Sequence, residues 1–450
     1  MKILTITSYI NSWIFKILGK RSNLLKIINN TGWLFFDYLL RLGFGLVIGV
    51  WIARYLGPRQ IGYLDYARAY FGIFVVIAAL GLDEIVIRDL VKMPARRFEI
   101  LGSAFSLKLI SGILITIISI IIIRFLEPQD HFIQLTVSIF SFGLIFKSFD
   151  VIDLWFQSQV LSKYTVLARD AALLISYIGQ FAFILLNLQL IAFALIQPFQ
   201  LILAAIGLII VYRIQGHSFK AWQFRVSPTK SMLRSSWPLL LAGVSIWIYM
   251  RVDQLILGST VGVEELGIYS RAVRWAEFWF FIPVVITNSF FPSIINAKKY
   301  DEQVYIERLQ TILNILMAIS ISIALAVTIF SDFLILLLYG PPYAKAGPQL
   351  SILIWSIVFV SMGIVRNKWA ITEDLTKFTL ISTFTGAAIN LVLNLIFIPR
   401  YGAIAAALTT LISQFIAAFL INIFHPKARH FFILQLRSLI FWGGIKIKSI

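Results

Sequence analysis

The 450-residue chain contains no cysteine, which excludes disulfides, thiolate metal sites and cysteine nucleophiles, and removes any redox clue to compartment. Acidic side chains are scarce, 21 against 39 Lys and Arg. The four histidines, His131, His217, His425 and His430, fall at or beyond the ends of apolar segments, which suits interfacial roles rather than catalysis. No metal-ligand cluster, glycine-rich phosphate loop before a helix or nucleophile elbow occurs, so the common enzyme signatures are missing. Charged residues make up only 13%, too few for a soluble globular surface. What the chain has in abundance is apolar residues, 59% of the total with a mean hydropathy of +0.88, and these define a polytopic membrane protein. In so apolar a chain the net charge of +18 marks the loops of one membrane face rather than a nucleic-acid partner.

An all-α integral membrane fold follows. A bilayer core about 30 Å thick takes roughly 20 apolar residues per helix, and about twelve such segments can be placed. They run over 32–53, 62–82, 100–123, 132–155, 165–187, 190–212, 235–258, 266–294, 309–338, 349–371, 377–398 and 402–424. The connections alternate between short, almost uncharged turns such as Asn187–Gln189 and loops with basic clusters. Among the latter are Arg88, Lys92, Arg96 and Arg97, then Arg213, Lys220, Arg225, Lys230 and Arg234, then Lys298, Lys299 and Arg308. Counting both termini, about 25 Lys and Arg lie on the second side against about 5 on the first, which predicts a cytoplasmic basic side holding both termini.

Residues 1–30 place Lys2, Lys16, Lys20, Arg21 and Lys26 beside apolar positions at helical spacing, without the uninterrupted apolar core of a secretory signal. This predicts an amphipathic helix on the cytoplasmic leaflet, and the basic tail 425–450, with Lys427, Arg429, Arg437, Lys446 and Lys448, is expected to do the same. Between them lie an N-lobe over 31–212, a cytoplasmic linker over 213–234 and a C-lobe over 235–424.

The two halves repeat. RYLGPRQIGYLDYARAYFGIF from Arg54 and STVGVEELGIYSRAVRWAEFW from Ser259 align Gly57 and Gly62 with Gly262 and Gly267 at an offset of 205 residues. The offset joins the second span to the eighth, so the copies have the same orientation. Parallel repeats predict two six-helix lobes related by a pseudo-two-fold axis along the membrane normal, with a central cavity between them.

Nine cations sit inside predicted spans: Arg41, Arg68, Lys108, Lys147, Arg169, Arg251, Arg271, Arg274 and Arg366. Each costs at least about 2.5–3.5 kcal/mol at the bilayer centre, so they must be shielded from lipid around a polar interior, which points to an anionic cargo. Four have an acid at helical spacing: Asp37 with Arg41, Asp65 with Arg68, Lys147 with Asp150, and Arg274 with Glu277. Arg251, Arg271 and Arg366 have none and are the better candidates for meeting a cargo. Arg271 and Arg274 share a face of the eighth span, while Trp247, Arg251 and Gln254 form a stripe on the seventh. Guanidinium groups bind phosphate through paired hydrogen bonds and keep their charge in a low dielectric. The acids Asp37, Asp65, Asp253 and Glu277, together with Asp150, Asp153 and Asp170, are the candidates for binding a coupling proton or Na⁺. Asn390 and Asn394, one turn apart, suit hydrogen bonding between helices.

ARYLGPRQIGYLDYARAY, YGPPYAKAGPQLSILIW from Tyr339, and NLVLNLIFIPRYGAIAAALTTLISQF from Asn390 resemble, in order and spacing, the polysaccharide-export branch of the multidrug/oligosaccharidyl-lipid/polysaccharide exporter superfamily, the Wzx-type repeat-unit flippases. The resemblance extends from about residue 30 to about residue 425. It implies a flippase that carries undecaprenyl-diphosphate-linked oligosaccharides from the cytoplasmic to the periplasmic leaflet of the bacterial inner membrane by alternating access, without making or breaking a bond. O-antigen, capsule or exopolysaccharide synthesis would be the setting, with membrane lipids, a polysaccharide polymerase and glycosyltransferases as partners. It also implies a cationic cavity lined by arginines of the first, second and eighth helices, by position Arg41, Arg68, Arg271 and Arg274; Arg251 and Arg366 are added from their own placement. Two rivals are a cation-coupled multidrug antiporter of the same superfamily, which would favour acidic cavity residues, and an O-antigen polymerase or ligase. The latter needs a substantial extracytoplasmic loop, and the longest on that side has only about ten residues.

Overall fold

A computed structural model describes residues 22–440, and all regular structure among them is helical. The first half comprises α1 (Ser22–Ala79), α2 (Leu82–Lys92), α3 (Arg97–Leu126), α4 (His131–Phe142), α5 (Asp150–Ser158), α6 (Lys163–Leu185) and α7 (Leu190–Ile214). The second comprises α8 (Val226–Thr260), α9 (Val263–Phe278), α10 (Phe281–Tyr300), α11 (Glu302–Tyr339), α12 (Ala346–Leu353), α13 (Ser356–Thr372), α14 (Thr376–Ala418) and α15 (Pro426–Ile440). Ten continuous helical stretches among the described residues are long and apolar enough to cross a membrane. At about 1.5 Å per residue, the 58 residues of α1 would reach roughly 87 Å, nearly three bilayer cores. The chain resolves this by breaking α1 at Gly57, where φ is 75° and Pro58 follows, a left-handed conformation that costs glycine least. The 43-residue α14 breaks in the same way at Gly402.

Large apolar side chains stand exposed around the circumference, among them Ile110, Leu114, Ile117 and Ile121 on α3 and Ile329, Phe333 and Leu337 on α11. With the backbone hydrogen bonds of the helix interiors closed within each helix, such a belt suits lipid. Within the first half α1, α4, α6 and α7 pack together; within the second, α8, α10, α11, α13 and α14 do. The halves meet where α1 beyond its break lies against α8 and α9. Inside the C-lobe, Asn394 Nδ2 donates to Asn390 Oδ1 at 2.8 Å and Thr409 donates across the Gly402 break to Asn394, so the asparagines act in packing.

The non-helical connection between α7 and α8 falls within the linker expected over 213–234, with α8 beginning at Val226. It is also pinned to α3: the Gln223 N–H donates to the Phe98 carbonyl at 3.1 Å and the Arg225 N–H to Ser103 Oγ at 3.1 Å, while Trp222 packs edge-on against Phe105. Over its described part the expected basic tail is α15, which turns one face to the C-lobe and leaves Lys427, Arg429 and Arg437 exposed. Residues of α15 fold onto the C-lobe, with Phe431 stacked on Trp369 at 4.9 Å and Gln435 hydrogen-bonded to Asn422 and the Ala418 carbonyl. Of the N-terminal amphipathic segment expected over residues 1–30, residues 1–21 lie outside the described residues, as do residues 441–450, while residues 22–30 are the opening turns of α1.

Candidate functional site

Helical periodicity builds the site at the junction of the lobes. On α1, Asp65, Arg68, Ala69, Gly72 and Val76 recur at three- and four-residue steps; on α8, Gly243, Trp247, Arg251 and Gln254 do so; on α9, Ser270, Arg271, Arg274 and Glu277. These faces enclose a cavity of about 610 Å³. A second chamber of about 150 Å³ extends into the first half between α1, α4, α6 and α7, and shares Arg68, Arg271 and Arg274 with the first. Glycines make the room. A Cβ on Gly49 would lie 2.7 Å from Arg274 Nη1, and one on Gly72 would lie 2.5 Å from Trp247 Nε1.

The cavity's charges do not cancel. Asp65 bridges two arginines, accepting from Arg68 on its own helix and, across the lobe boundary, from Arg271. Arg251 donates to both oxygens of Glu277, at 2.7 and 2.8 Å. Arg274 has no carboxylate or hydrogen-bond partner among the described residues, although Glu277 is one turn away on its own helix. Four guanidinium groups against two carboxylates leave a surplus of two positive charges on the lining. Arg271 is 1% exposed, yet its Nε and Nη1 have no partner among the described residues. A buried charged donor without an acceptor is expensive, so these groups are complementary to an anion's oxygens.

The other sequence candidates lie elsewhere. Arg41 is held by Asp37 and, at 3.3 Å, by Asp170, and it lines neither chamber. Arg366 is also withdrawn from the cavity: it sits between the Ala417 carbonyl, Asn367 Oδ1 and the Phe378 ring, among C-lobe helices. Lys108 pairs with Asp83, Lys147 with Asp150, and Arg169 with Asp150 and Asp153 at 2.9 and 2.7 Å, which locks three of the nine cations into the first half. Among the acids proposed for coupling, Asp65 and Glu277 are taken up by the arginine pairs just described. Asp253 accepts from Tyr269 Oη at 2.6 Å and from the Gln254 N–H at 2.8 Å inside the C-lobe. Sequence reasoning passed over Tyr177, Gln180, Gln197 and Gln200, which line the smaller chamber. Their signal in the sequence is that of uncharged polar residues inside apolar helices.

The lobes touch at both ends of this site. At the end away from the basic loops, the two repeat-related glycines meet: a Cβ on Gly62 would lie 1.8 Å from the Val263 carbonyl oxygen, and one on Gly267 would lie 2.1 Å from that of Pro58. Tyr343 Oη donates to the Ala53 carbonyl at 2.6 Å beside them. At the opposite end, Gly81 is pressed against the α8 backbone, where a Cβ would meet Ser236 O and Leu240 N at 2.6 Å.

Residues 27–298 match the family described as "Polysaccharide biosynthesis protein", and residues 238–396 match the family MatE. The chain is 31% identical over 221 residues to "Probable flippase AglR" of Haloferax volcanii, a stretch that covers 45% of this chain and 44% of that protein's length. It is 23% identical over 366 residues to "Probable low-salt glycan biosynthesis flippase Agl15" of the same organism, covering 80% of this chain and 75% of Agl15. Among solved structures, "Lipid II flippase MurJ, inward closed conformation" superposes with a TM-score of 0.70 at 17% identity, covering 92% of this chain and 91% of that one, a likeness of fold.

Proposed function

The chain belongs to the polysaccharide biosynthesis protein family, and on that premise we propose that it is a flippase for a polyprenyl-diphosphate-linked oligosaccharide, a transporter rather than an enzyme. The observation that carries the reading is the surplus of two positive charges around unpartnered arginine donors. A diphosphate diester carries two negative charges and an array of acceptor oxygens, so it matches this lining in both charge and hydrogen bonding. Arg274 and the free edge of Arg271 would grip the phosphates, while Arg68 and Arg251 set the field. The polyprenyl tail would stay in lipid as the two lobes rock about the head group.

The finer reading places the basic loops and both termini in the cytoplasm of a bacterial inner membrane, with undecaprenyl as the carrier and O-antigen, capsule or exopolysaccharide as the product. The polymerase and glycosyltransferases of that route would be its partners. Coupling to H⁺ or Na⁺ is proposed at Asp37, Asp65, Asp253 or Glu277, of which Asp37 and Asp253 stand outside the cavity's own ion pairs; collapsing the proton and Na⁺ gradients separately during vesicle transport tests this.

The decisive experiment reverses the charge of both donors, Arg271→Glu with Arg274→Glu, in a stably inserted protein. Export of the surface glycan should stop and lipid-linked units should accumulate; unchanged export would sink the proposal. The match to MatE favours a multidrug antiporter as second reading. Binding of a cationic dye in preference to an anionic diphosphate lipid would establish that alternative.

A further inference from the structure

A separate cavity of about 460 Å³ lies in the first half, at the end of the bundle where the basic loops are, and shares no lining residue with the arginine site. Phe105 and Ser106 of α3, Phe149 in the turn between α4 and α5, and Ile209 and Arg213 of α7 form its walls, and the connection to α8 roofs it. The roof is fixed in place. Gly102 leaves α3 open to the backbone of Gln223, where a Cβ would lie 2.5 Å from the nitrogen, and Trp222 Nε1 donates to Tyr212 Oη at 2.9 Å. Phe105 packs against Phe149 at 5.2 Å and against Trp222 at 5.4 Å, and Phe219 against Trp222 at 5.0 Å, so aromatic rings face the interior. With the Trp222 N–H engaged, Ser106 is the one uncharged polar side chain of the lining.

Interior and rim select different parts of an occupant. A water takes about 30 Å³ in the liquid and a methylene roughly as much, so the cavity matches roughly fifteen methylenes, the bulk of one acyl chain. Hydrocarbon is adjacent: Ile206 and Ile210, exposed in the lipid-facing belt, border Ile209 on α7. The rim is cationic. Arg213 is exposed with its guanidinium 6.0 Å from the Phe219 ring, and Lys220 and Arg225, also exposed, flank the aromatic residues of the roof in sequence. No carboxylate belongs to the lining, and the chain from Ala171 to Val252 contains no acidic residue, so neither α7, the connection nor the start of α8 supplies a counter-charge. A soluble anion would leave the aromatic interior to water, and a zwitterionic lipid would leave the rim uncompensated, whereas an anionic lipid satisfies both.

We propose that this cavity is a binding site for an anionic membrane phospholipid, with one acyl chain under the roof between α3 and α7 and the phosphate headgroup held by Arg213, Lys220 and Arg225. The site is independent of the cargo and of the flippase reading. The bound lipid clamps the connection between the lobes to the first half.

The test is photo-crosslinking of the purified full-length protein in phosphatidylcholine nanodiscs that contain a few per cent of a probe lipid with a diazirine in one acyl chain, followed by peptide mapping. The probes are phosphatidylglycerol and phosphatidylcholine of identical chains. The phosphatidylglycerol probe should label the peptides around Phe105 and Ile209 about fivefold or more above the phosphatidylcholine probe, and excess unlabelled phosphatidylglycerol should compete. Arg213→Gln should remove about fivefold of the labelling, and the variant that also carries Lys220→Gln and Arg225→Gln should show no preference between the probes. Ser106→Phe fills the interior and should abolish the labelling with the rim intact; thermal unfolding at the wild-type temperature in phosphatidylcholine reports that each variant is folded. Equal labelling by both probes in wild type marks ordinary lipid contact and overturns the proposal, as does a preference that survives the triple variant. Displacement of the probe by decaprenyl phosphate but not by phosphatidylglycerol would assign the cavity to a polyprenyl chain and overturn it equally.

Discussion

Asp65→Asn isolates the ion pair that crosses the lobe boundary. The substitution keeps the side chain's shape and removes the one carboxylate that Arg68 and Arg271 share. Arg68 is 52% exposed to the cavity, so water replaces its partner at a cost of no more than about 1 kcal/mol. Arg271 is 1% exposed and already has two unpartnered donors, so it becomes a buried, unpaired ion, at a cost of about 3–5 kcal/mol. Arg271→Met alone is milder, because Asp65 keeps Arg68. The double variant removes both buried charges and should be more stable than Asp65→Asn by itself, with a coupling towards the upper end of the roughly 0.5–3 kcal/mol found for residues in contact. Thermal unfolding of the solubilised proteins measures the order. Added inorganic diphosphate supplies the missing counter-charge and should restore Asp65→Asn by about 2.7 kcal/mol at a hundred times its Kd. A double variant that sits at the sum of the two singles would refute the reasoning.

Gly267→Ala places a methyl group 2.1 Å from a backbone oxygen and must part the lobes at that end; with the natural chain free of cysteine, a thiol introduced by Ser270→Cys should react faster with an impermeant reagent when Gly267→Ala is also present. Arg274→Gln should weaken diphosphate-lipid binding by about tenfold or more, as expected for a charge-assisted hydrogen bond, whereas Arg366→Met should lower thermal stability and leave binding unchanged. His217 accepts from Trp155 Nε1 at 3.4 Å within an aromatic nest, and burial, reinforced by the Arg97 charge, holds its pKa below the usual histidine value. A depressed folded-state pKa gives stability that is present above about pH 6.5 and lost as pH falls through the lower value, so acidification should destabilise wild type more than His217→Gln in unfolding measured at several pH values.

What was legible from residues alone depended on whether the signal was local. Helix periodicity and the Gly57-Pro58 break are properties of neighbouring residues, and the 205-residue offset linked Gly57 to Gly262, both of which take positive φ. The same offset placed Gly62 and Gly267 in correspondence, and they prove to face one another across the lobe contact. Partner choice is a property of the assembled bundle. Glu277 lies one turn from Arg274, and spacing alone pairs them; in the fold Glu277 accepts both donors of Arg251, from a helix 26 residues earlier, because a planar fork matched to two oxygens gains more than a single contact on one helix. Arg274, released from that pairing, lies in the recess left by Gly45 and Gly49 on a helix more than two hundred residues away in sequence. No local pattern predicts such a recess, since its signal is the absence of side chains on a distant helix. The unpaired arginine and the glycines facing it are therefore one feature. A substitution as small as Gly49→Ala should displace the guanidinium, and should weaken diphosphate-lipid binding much as Arg274→Gln does; binding at the wild-type level in Gly49→Ala would show that the recess does not position Arg274.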